Sequence, residues 1–290
     1  MVYPLDESVI IYKCCLLHSK IDRNQEVSKL PYTISHIAAV LPLKKASPKY
    51  FSFPALAVGS MSPDFAYMLH SYGFAGLSHS LLGIATFCAP LSAVLLAVFY
   101  FLRRGLAKWL GLPRTYFDSD VKFSELMRQR WLIILISIVV GALTHIVWDA
   151  FTHSGGYFVK MFPDLFSQAI TIGIVKLRTF KWLQYGCSLL GLIAIAYSLV
   201  RWYRNSYRRA HGHATALLFG SYATVILLSM LFAYIVTIAT CHQIPVRSFT
   251  FQFFINSMRI GLFILLVVAL SLQVLSAKTQ PSSGTPSLKL

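Results

Sequence analysis

The chain contains five uncharged apolar runs whose lengths approach or exceed the thickness of a lipid bilayer. They are residues 81–102, 131–147, 183–200, 214–240 and 260–275, and none contains Asp, Glu, Lys or Arg. A helix needs about 20 apolar residues to cross a hydrocarbon core of roughly 30 Å. Hydrophobic residues make up 56% of the chain, far more than charged residues at 12%. The sequence therefore predicts an all-α, multi-pass integral membrane protein with five to six transmembrane helices.

Three regions follow from the distribution of charge and apolar runs. Residues 1–29 carry four of the ten acidic residues and predict an N-terminal extension. Residues 30–276 hold the apolar runs and predict the membrane domain, and residues 277–290 form a polar tail.

Inside the membrane domain, prolines and a glycine interrupt residues 50–70. Non-helical backbone survives at membrane depth only where protein or a wet cavity surrounds it. This segment therefore predicts a broken or re-entrant piece that lines a pocket.

The net charge is +16, and 11 of the 26 Lys and Arg residues lie in two loops between apolar runs, residues 103–130 and 201–213. Short basic loops are typical of the cytoplasmic side of membrane proteins. Such loops face anionic lipid, so the expected partner of the basic residues is the bilayer and not a nucleic acid. The pattern leaves the oligomeric state open.

Three polar side chains stand at the end of the second apolar run, where such residues are costly unless they have a partner or a role. His145, Asp149 and His153 are spaced four residues apart. Because a step of four returns to the same helix face, His145 and Asp149 can reach one metal ion. His153 lies about 12 Å along the axis from His145. It would serve a second ion, bridged by Asp149, unless the helix ends early.

Topology predicts which other residues join this group. With both basic loops inside, His79 precedes the span 81–102 at the same extracytoplasmic end as His145, Asp149 and His153. Asp64 approaches the outer half if residues 50–70 start from the inside. His36 falls on the cytoplasmic side in this arrangement, unless the N-terminal helix of residues 31–43 dips inward.

Each candidate also has a structural interpretation. His36 can be a satisfied buried histidine, and Asp64, which follows a proline, can be a helix N-cap. His79 can lie at the membrane interface, and His145 can pair with Asp149 within one helix. A proton relay or a structural polar network would use the same residue types.

Four sequence blocks resemble a bacterial membrane protein family, domain of unknown function 4184. They are Pro31-Tyr-Thr-Ile-Ser-His36, Gly59-Ser-Met-Ser-Pro-Asp64, Ser78-His79-Ser-Leu-Leu-Gly83 and Gly141-Ala-Leu-Thr-His145-Ile-Val-Trp-Asp149-Ala-Phe-Thr-His153, and Gln184-Tyr185-Gly186 resembles a fifth. The resemblance covers roughly residues 30–275. It implies a multi-pass protein of the bacterial cytoplasmic membrane.

The order of these residues is also similar, more distantly, to that of zinc-dependent phospholipase C and membrane-bound metal-dependent hydrolases. This likeness implies a metal site made of Asp64, His79, His145 and Asp149, with His36 and His153 on a further ion. It implies zinc as the cofactor and Asp64 or Asp149 as the catalytic group that orients water. The later His-x3-Glu pair of the phospholipase has no counterpart, because no glutamate follows Glu125. One or two ions are therefore expected instead of three.

Two functions fit this sequence. One is a metal-dependent hydrolase acting on a phosphate ester, for example a lipid, at the outer face. The alternative is a non-enzymatic membrane protein whose His/Asp residues form a structural network or a metal or proton site.

Overall fold

A computed structural model of the chain describes residues 33–47, 49–69, 74–109, 123–207, 215–240 and 246–278. The predicted extension 1–29, part of each basic loop and most of the polar tail lie outside these ranges. Almost every described element is a helix, which confirms the all-α class. One two-stranded hairpin is the exception within the described ranges.

The helices fall into short elements near the candidate site and long ones. The short helices are α1 (Ile37–Ala46), α2 (Phe53–Met61), α3 (Phe65–Met68), α4 (Ala75–Ser78), α5 (Leu81–Gly83), α8 (Tyr157–Met161) and α9 (Pro163–Phe166). The long ones are α6 (Ala89–Trp109), α7 (Phe123–Thr152), α10 (Thr179–Tyr207), α11 (Thr215–Thr240) and α12 (Val246–Lys278). Strands β1 (Ala169–Ile172) and β2 (Val175–Arg178) pair antiparallel. A π-helical turn at Ile84–Cys88 joins α5 to α6.

Four helical stretches in the described residues are long and apolar enough to cross a membrane. They are Leu81–Ala107, Arg130–Met161, Thr179–Trp202 and Gln252–Leu275. Each contains one of the predicted apolar runs, and α11 covers the fifth. Large apolar side chains such as Leu190, Ile193 and Phe263 are more than half exposed on these helices. Contiguous apolar surface of this kind marks a face that another apolar phase covers.

Helices α2 and α7 pack with their backbones in contact. A Cβ atom on Gly59 would overlap the backbone of Ile138, and one on Gly141 would overlap Leu56 and lie 2.8 Å from the nitrogen of Ser60. Only glycine allows this approach, because any side chain would push the helices apart. The contact brings the carbonyl groups of α2 within reach of side chains on α7.

The segment 50–70 is broken, as its prolines predict. Helix α2 ends at Met61, a tight turn covers Ser62–Asp64, and α3 continues for one further turn. Arg259 of α12 donates hydrogen bonds to the carbonyl oxygens of Tyr67 and Met68 at 2.7 and 2.6 Å. These bonds tie the end of α3 to α12.

The structure selects one of the two positions left open for His36. Sequence topology put this residue on the cytoplasmic side unless its helix dips inward, and the structure stacks its ring on His145 with the centroids 3.9 Å apart. The reason is the length of α1, which has ten residues and rises only about 15 Å. The chain therefore turns back through α2, and both ends of this helical pair approach the same site.

Candidate metal centre

Four side chains from three parts of the chain point one ligand atom each at a common centre. They are Asp64 at the end of the Ser62–Asp64 turn, His79 after α4, and His145 and Asp149 on α7. All four ligand atoms lie within 4.8 Å of one another. Imidazole nitrogens and carboxylate oxygens are the donors that zinc and similar divalent ions accept. This His/Asp cluster can therefore hold a metal ion.

The separations inside the cluster fit shared coordination better than direct hydrogen bonding. His79 Nε2 lies 3.4 Å from Asp64 Oδ1 and 3.6 Å from Asp149 Oδ2. His145 Nε2 lies 3.6 Å from Asp64 Oδ1 and 3.3 Å from Asp149 Oδ2. Hydrogen bonds of this kind are usually shorter than about 3.2 Å. Ligands at roughly 2.0–2.1 Å from a tetrahedral ion lie about 3.3–3.4 Å apart, close to these distances.

The ring of His145 is held in place by the α2–α7 contact. Its Nδ1 donates a hydrogen bond of 2.7 Å to the carbonyl oxygen of Ser60. The side chain is fully buried, and Nε2 has no hydrogen-bond partner. A buried polar atom without a partner is costly and calls for an explanation. A metal ion at the centre of the cluster supplies one, since a ligating histidine commonly donates its other nitrogen to a carbonyl.

His79 is oriented in the same way by its own short helix. Its Nδ1 lies 2.8 Å from the carbonyl oxygen of Ala75, to which it donates. The hydroxyl of Ser78 donates to the carbonyl oxygen of Pro63 at 2.8 Å, which ties this helix end to the turn that carries Asp64. Both histidines therefore present Nε2 to the centre, while Nδ1 carries the proton.

Asp64 is almost wholly buried, with 2% of its surface exposed. Its Oδ2 accepts a hydrogen bond of 2.8 Å from the Thr33 hydroxyl, which leaves Oδ1 for the cluster. The carboxylate makes no capping bond to α3, so the structure does not support the N-cap alternative. Burial raises the pKa of Asp64, but His145 and His79 outweigh it and hold that pKa below its ordinary value. The ionised form that a metal requires is favoured.

Asp149 faces two different sets of histidines. Its Oδ2 points to His79 and His145, as given above. Its Oδ1 lies 3.2 Å from His153 Nδ1 and 3.7 Å from His36 Nε2. The structure thus brings all six predicted site residues together and places Asp149 between the two sets.

A chain of hydrogen bonds fixes the proton on His153. The ammonium of Lys181 can only donate, so the 2.8 Å contact makes Gln184 Oε1 the acceptor. The amide nitrogen of Gln184 then donates to His153 Nε2 at 3.1 Å. The ring proton therefore sits on Nδ1, between Asp149 Oδ1 and the Thr152 hydroxyl, which lies 3.1 Å away. In this tautomer His153 orients Asp149 and offers no free nitrogen to a second ion.

Sequence reasoning missed the residues that orient the cluster. Thr33, the Ser60 carbonyl, Lys181 and Gln184 received no role. Thr33 lies in the Pro31 block and Gln184 opens the Gln184-Tyr185-Gly186 block, so both stand in segments that the resemblance singles out. Their partners lie 31 residues away in the chain, and no local spacing indicates such a contact.

Comparison with known proteins identifies the family of this chain. Residues 30–273 match the family described as a domain of unknown function (DUF4184). The chain belongs to this family. Neither a curated protein nor a solved structure matches this chain. The matched range includes every residue of the cluster, while the similarity to phospholipase C and the roles assigned to single residues stay predictions.

Proposed function

We propose that this DUF4184 protein is an integral membrane protein that hydrolyses a phosphate ester with a divalent metal ion at the extracytoplasmic end of its helices. The observation that carries the proposal is the convergence of two histidine nitrogens and two carboxylate oxygens within 4.8 Å. The positive-inside pattern of the basic loops supports the outer face, because His79 and Asp149 lie at the helix ends remote from those loops.

Zinc is the metal that this donor set favours. Two imidazoles and two carboxylates suit a borderline cation, and the separations match bonds of roughly 2.0–2.1 Å. When bound, such an ion acts as a Lewis acid that polarises a phosphoryl oxygen and makes water acidic enough to supply hydroxide near neutral pH.

The protein's own groups give the site access and a proton acceptor. Exposed fractions of 20% for the His79 side chain and 14% for Asp149 leave one edge of the cluster open. Asp149 Oδ1 is oriented by His153 Nδ1 at 3.2 Å and faces away from the Oδ2 side, so it is the carboxylate oxygen left to accept a proton from an attacking water. In hydrolysis the water oxygen bonds to phosphorus and the ester P–O bond breaks. The proton passes through Asp149 to the leaving alcohol.

A non-enzymatic metal site is the second candidate, and the number of ligands favours it. Four protein ligands are typical of closed structural zinc sites, whereas catalytic sites keep a position open. In the enzymatic proposal, substrate would reach the metal from the exposed edge beside His79. The two candidates share the metal and differ in turnover.

The test uses purified protein with Asp149→Asn beside Asp164→Asn, a matched change at an exposed carboxylate of α9 outside the cluster. We expect wild type and Asp164→Asn to retain zinc by elemental analysis and to hydrolyse bis(4-nitrophenyl) phosphate or a fluorescent phospholipid in vesicles. Asp149→Asn should lose both. Zinc without hydrolysis of either substrate would support the structural site, and equal metal content in all three proteins would overturn both candidates.

A further inference from the structure

The β-hairpin between α9 and α10 has one apolar and one polar face. Residues directly opposite on antiparallel strands share a face, and successive residues alternate. The pairs Ile170–Leu177 and Ile172–Val175 therefore lie on one side. The pairs Ala169–Arg178 and Thr171–Lys176 lie on the other. The two-residue turn begins at Gly173, whose φ of 61° suits hairpin turns of this type.

The described part of the chain covers the apolar face only in part, and Leu177 is its most protected residue. Ile170, Ile172 and Val175 are 42–58% exposed, and Ile174 at the tip is fully exposed. The short helices before the hairpin add further exposed side chains, namely Tyr157, Met161, Phe162 and Leu165. A two-stranded hairpin is marginally stable in water and needs its apolar face packed. The exposed face therefore calls for an apolar partner.

The hairpin is joined directly to helices that are long enough to cross a membrane. One candidate span ends at Met161, and another begins at Thr179, one residue after β2. The hairpin is fastened to that second helix, because the backbone nitrogen of Thr179 donates to the carbonyl of Gln168 at 2.9 Å and Trp182 Nε1 donates to the carbonyl of Ile170 at 3.1 Å. Tryptophan at a helix end is typical of the membrane–water interface. The hairpin thus lies where a bilayer surface would meet these helices.

We propose that the hairpin Ala169–Arg178 is a membrane-insertion element that buries its apolar face in the leaflet beside the metal centre. Lys176 and Arg178 on the opposite face would meet anionic headgroups. A second copy of the chain fits less well, since four side chains and a tip offer far less than the roughly 800 Å² per partner of a stable interface. The proposal rests on the membrane placement of the proposed function but not on hydrolysis.

Insertion of the hairpin would also restrict the class of substrate that the proposed hydrolase can bind. Helix α7 ends at Thr152 beside His153, and the hairpin fastens to α10 at Trp182, two residues before Gln184, the partner of His153. An inserted hairpin would hold this side of the cluster at headgroup depth. A phospholipid headgroup, and not a soluble ester, is then the substrate that reaches the site.

The test compares single cysteines on the two faces, Ile172→Cys and Thr171→Cys, in the full chain. Each protein is placed in nanodiscs of phosphatidylcholine and phosphatidylglycerol and treated with a water-soluble maleimide. The modification of the peptide that carries the new cysteine is followed by mass spectrometry, so the native cysteines do not interfere. We expect Ile172→Cys to react about tenfold more slowly than Thr171→Cys, because apolar surroundings suppress the thiolate. The two rates should become equal in denaturing detergent.

A third variant, Leu190→Cys on the exposed face of α10, separates the two proposals. If Leu190→Cys is protected while Ile172→Cys reacts like Thr171→Cys, the hairpin proposal is wrong and the membrane placement stands. If Leu190→Cys also reacts freely, the membrane placement fails. Disulfide-linked dimers of Ile172→Cys under mild oxidation would identify a second copy as the partner and would overturn the insertion. Retained zinc in each variant shows that it is folded.

Discussion

The two oxygens of Asp149 face two halves of the site that are built differently. The Oδ2 half is the His/Asp cluster, and the Oδ1 half consists of His36 and His153. On the Oδ2 side, His79 and His145 donate Nδ1 protons to backbone carbonyls and present Nε2 to the centre. On the Oδ1 side, His153 has both ring nitrogens in contact with other groups. The ring of His36 stacks on His145 and lies edge-on to Trp148.

This difference distinguishes residues that bind from residues that orient. A ligand needs a free lone pair aimed at the ion and a partner for its other nitrogen. The Oδ2 half meets both conditions, and the Oδ1 half resembles the supporting layer around such a site. We therefore expect one ion in the Oδ2 half, and the predictions below test whether the halves differ in this way.

The largest expected effect is a difference in zinc affinity between variants of one histidine from each half. His145→Ala should lower zinc affinity by more than about 100-fold, since even outer residues cost roughly 10–100-fold. His36→Ala should keep most of the affinity, because it removes a stacked ring and no ligand. Zinc titration with a competing chelator measures both. Equal losses would show that the two halves bind metal together.

The next largest effect on zinc affinity is expected at the hydroxyl that orients Asp64. Thr33→Val removes the hydroxyl that donates to Asp64 Oδ2, and we expect zinc affinity to fall by roughly 10–100-fold. Thr144→Val is the matched control, because the Thr144 hydroxyl donates to the Gly141 carbonyl of its own helix at 2.7 Å. An unchanged affinity in Thr33→Val would mean that Asp64 holds its orientation without help.

The helix contact beneath the Oδ2 half predicts a loss of stability. Gly141→Ala should overlap the backbone of α2 and cost about 1–3 kcal/mol, as overpacked sites do. The unfolding temperature in detergent should fall, and zinc affinity should fall with it because Ser60 moves away from His145. Gly155→Ala, with no atom within 4 Å of the added Cβ, is the control. Stable Gly141→Ala protein with normal affinity would contradict the close packing.

The smallest effect is expected at the hydrogen-bond chain of the Oδ1 half. Gln184→Leu leaves His153 free to change tautomer, and we expect zinc content to stay at one ion while affinity changes by less than about tenfold. Gln168→Leu, at an exposed glutamine, is the control. A fall from two bound ions to one would instead show that His153 holds a second metal, as the resemblance to phospholipase C implies.

Much of this fold is predictable from local sequence. The lengths of the apolar runs identify the long helices, and Pro63 marks the break before Asp64. The spacing of His145 and Asp149 places both on one face of α7, where their atoms lie 3.3 Å apart. The hairpin at residues 169–178 escaped prediction, because four-residue strands leave too short an alternation to distinguish from a loop.

The helical class, the membrane-length helices and the candidate metal ligands follow from the chain alone, because hydrophobic length and residue spacing are local properties. The packed fold sets how those candidates divide. It returned His36 to the cluster through a short helical pair, and it occupied His153 with Gln184. It also supplied Thr33 and the Ser60 carbonyl as supports. These contacts join residues far apart in the chain, and packing of the Gly59–Gly141 kind sets their distances.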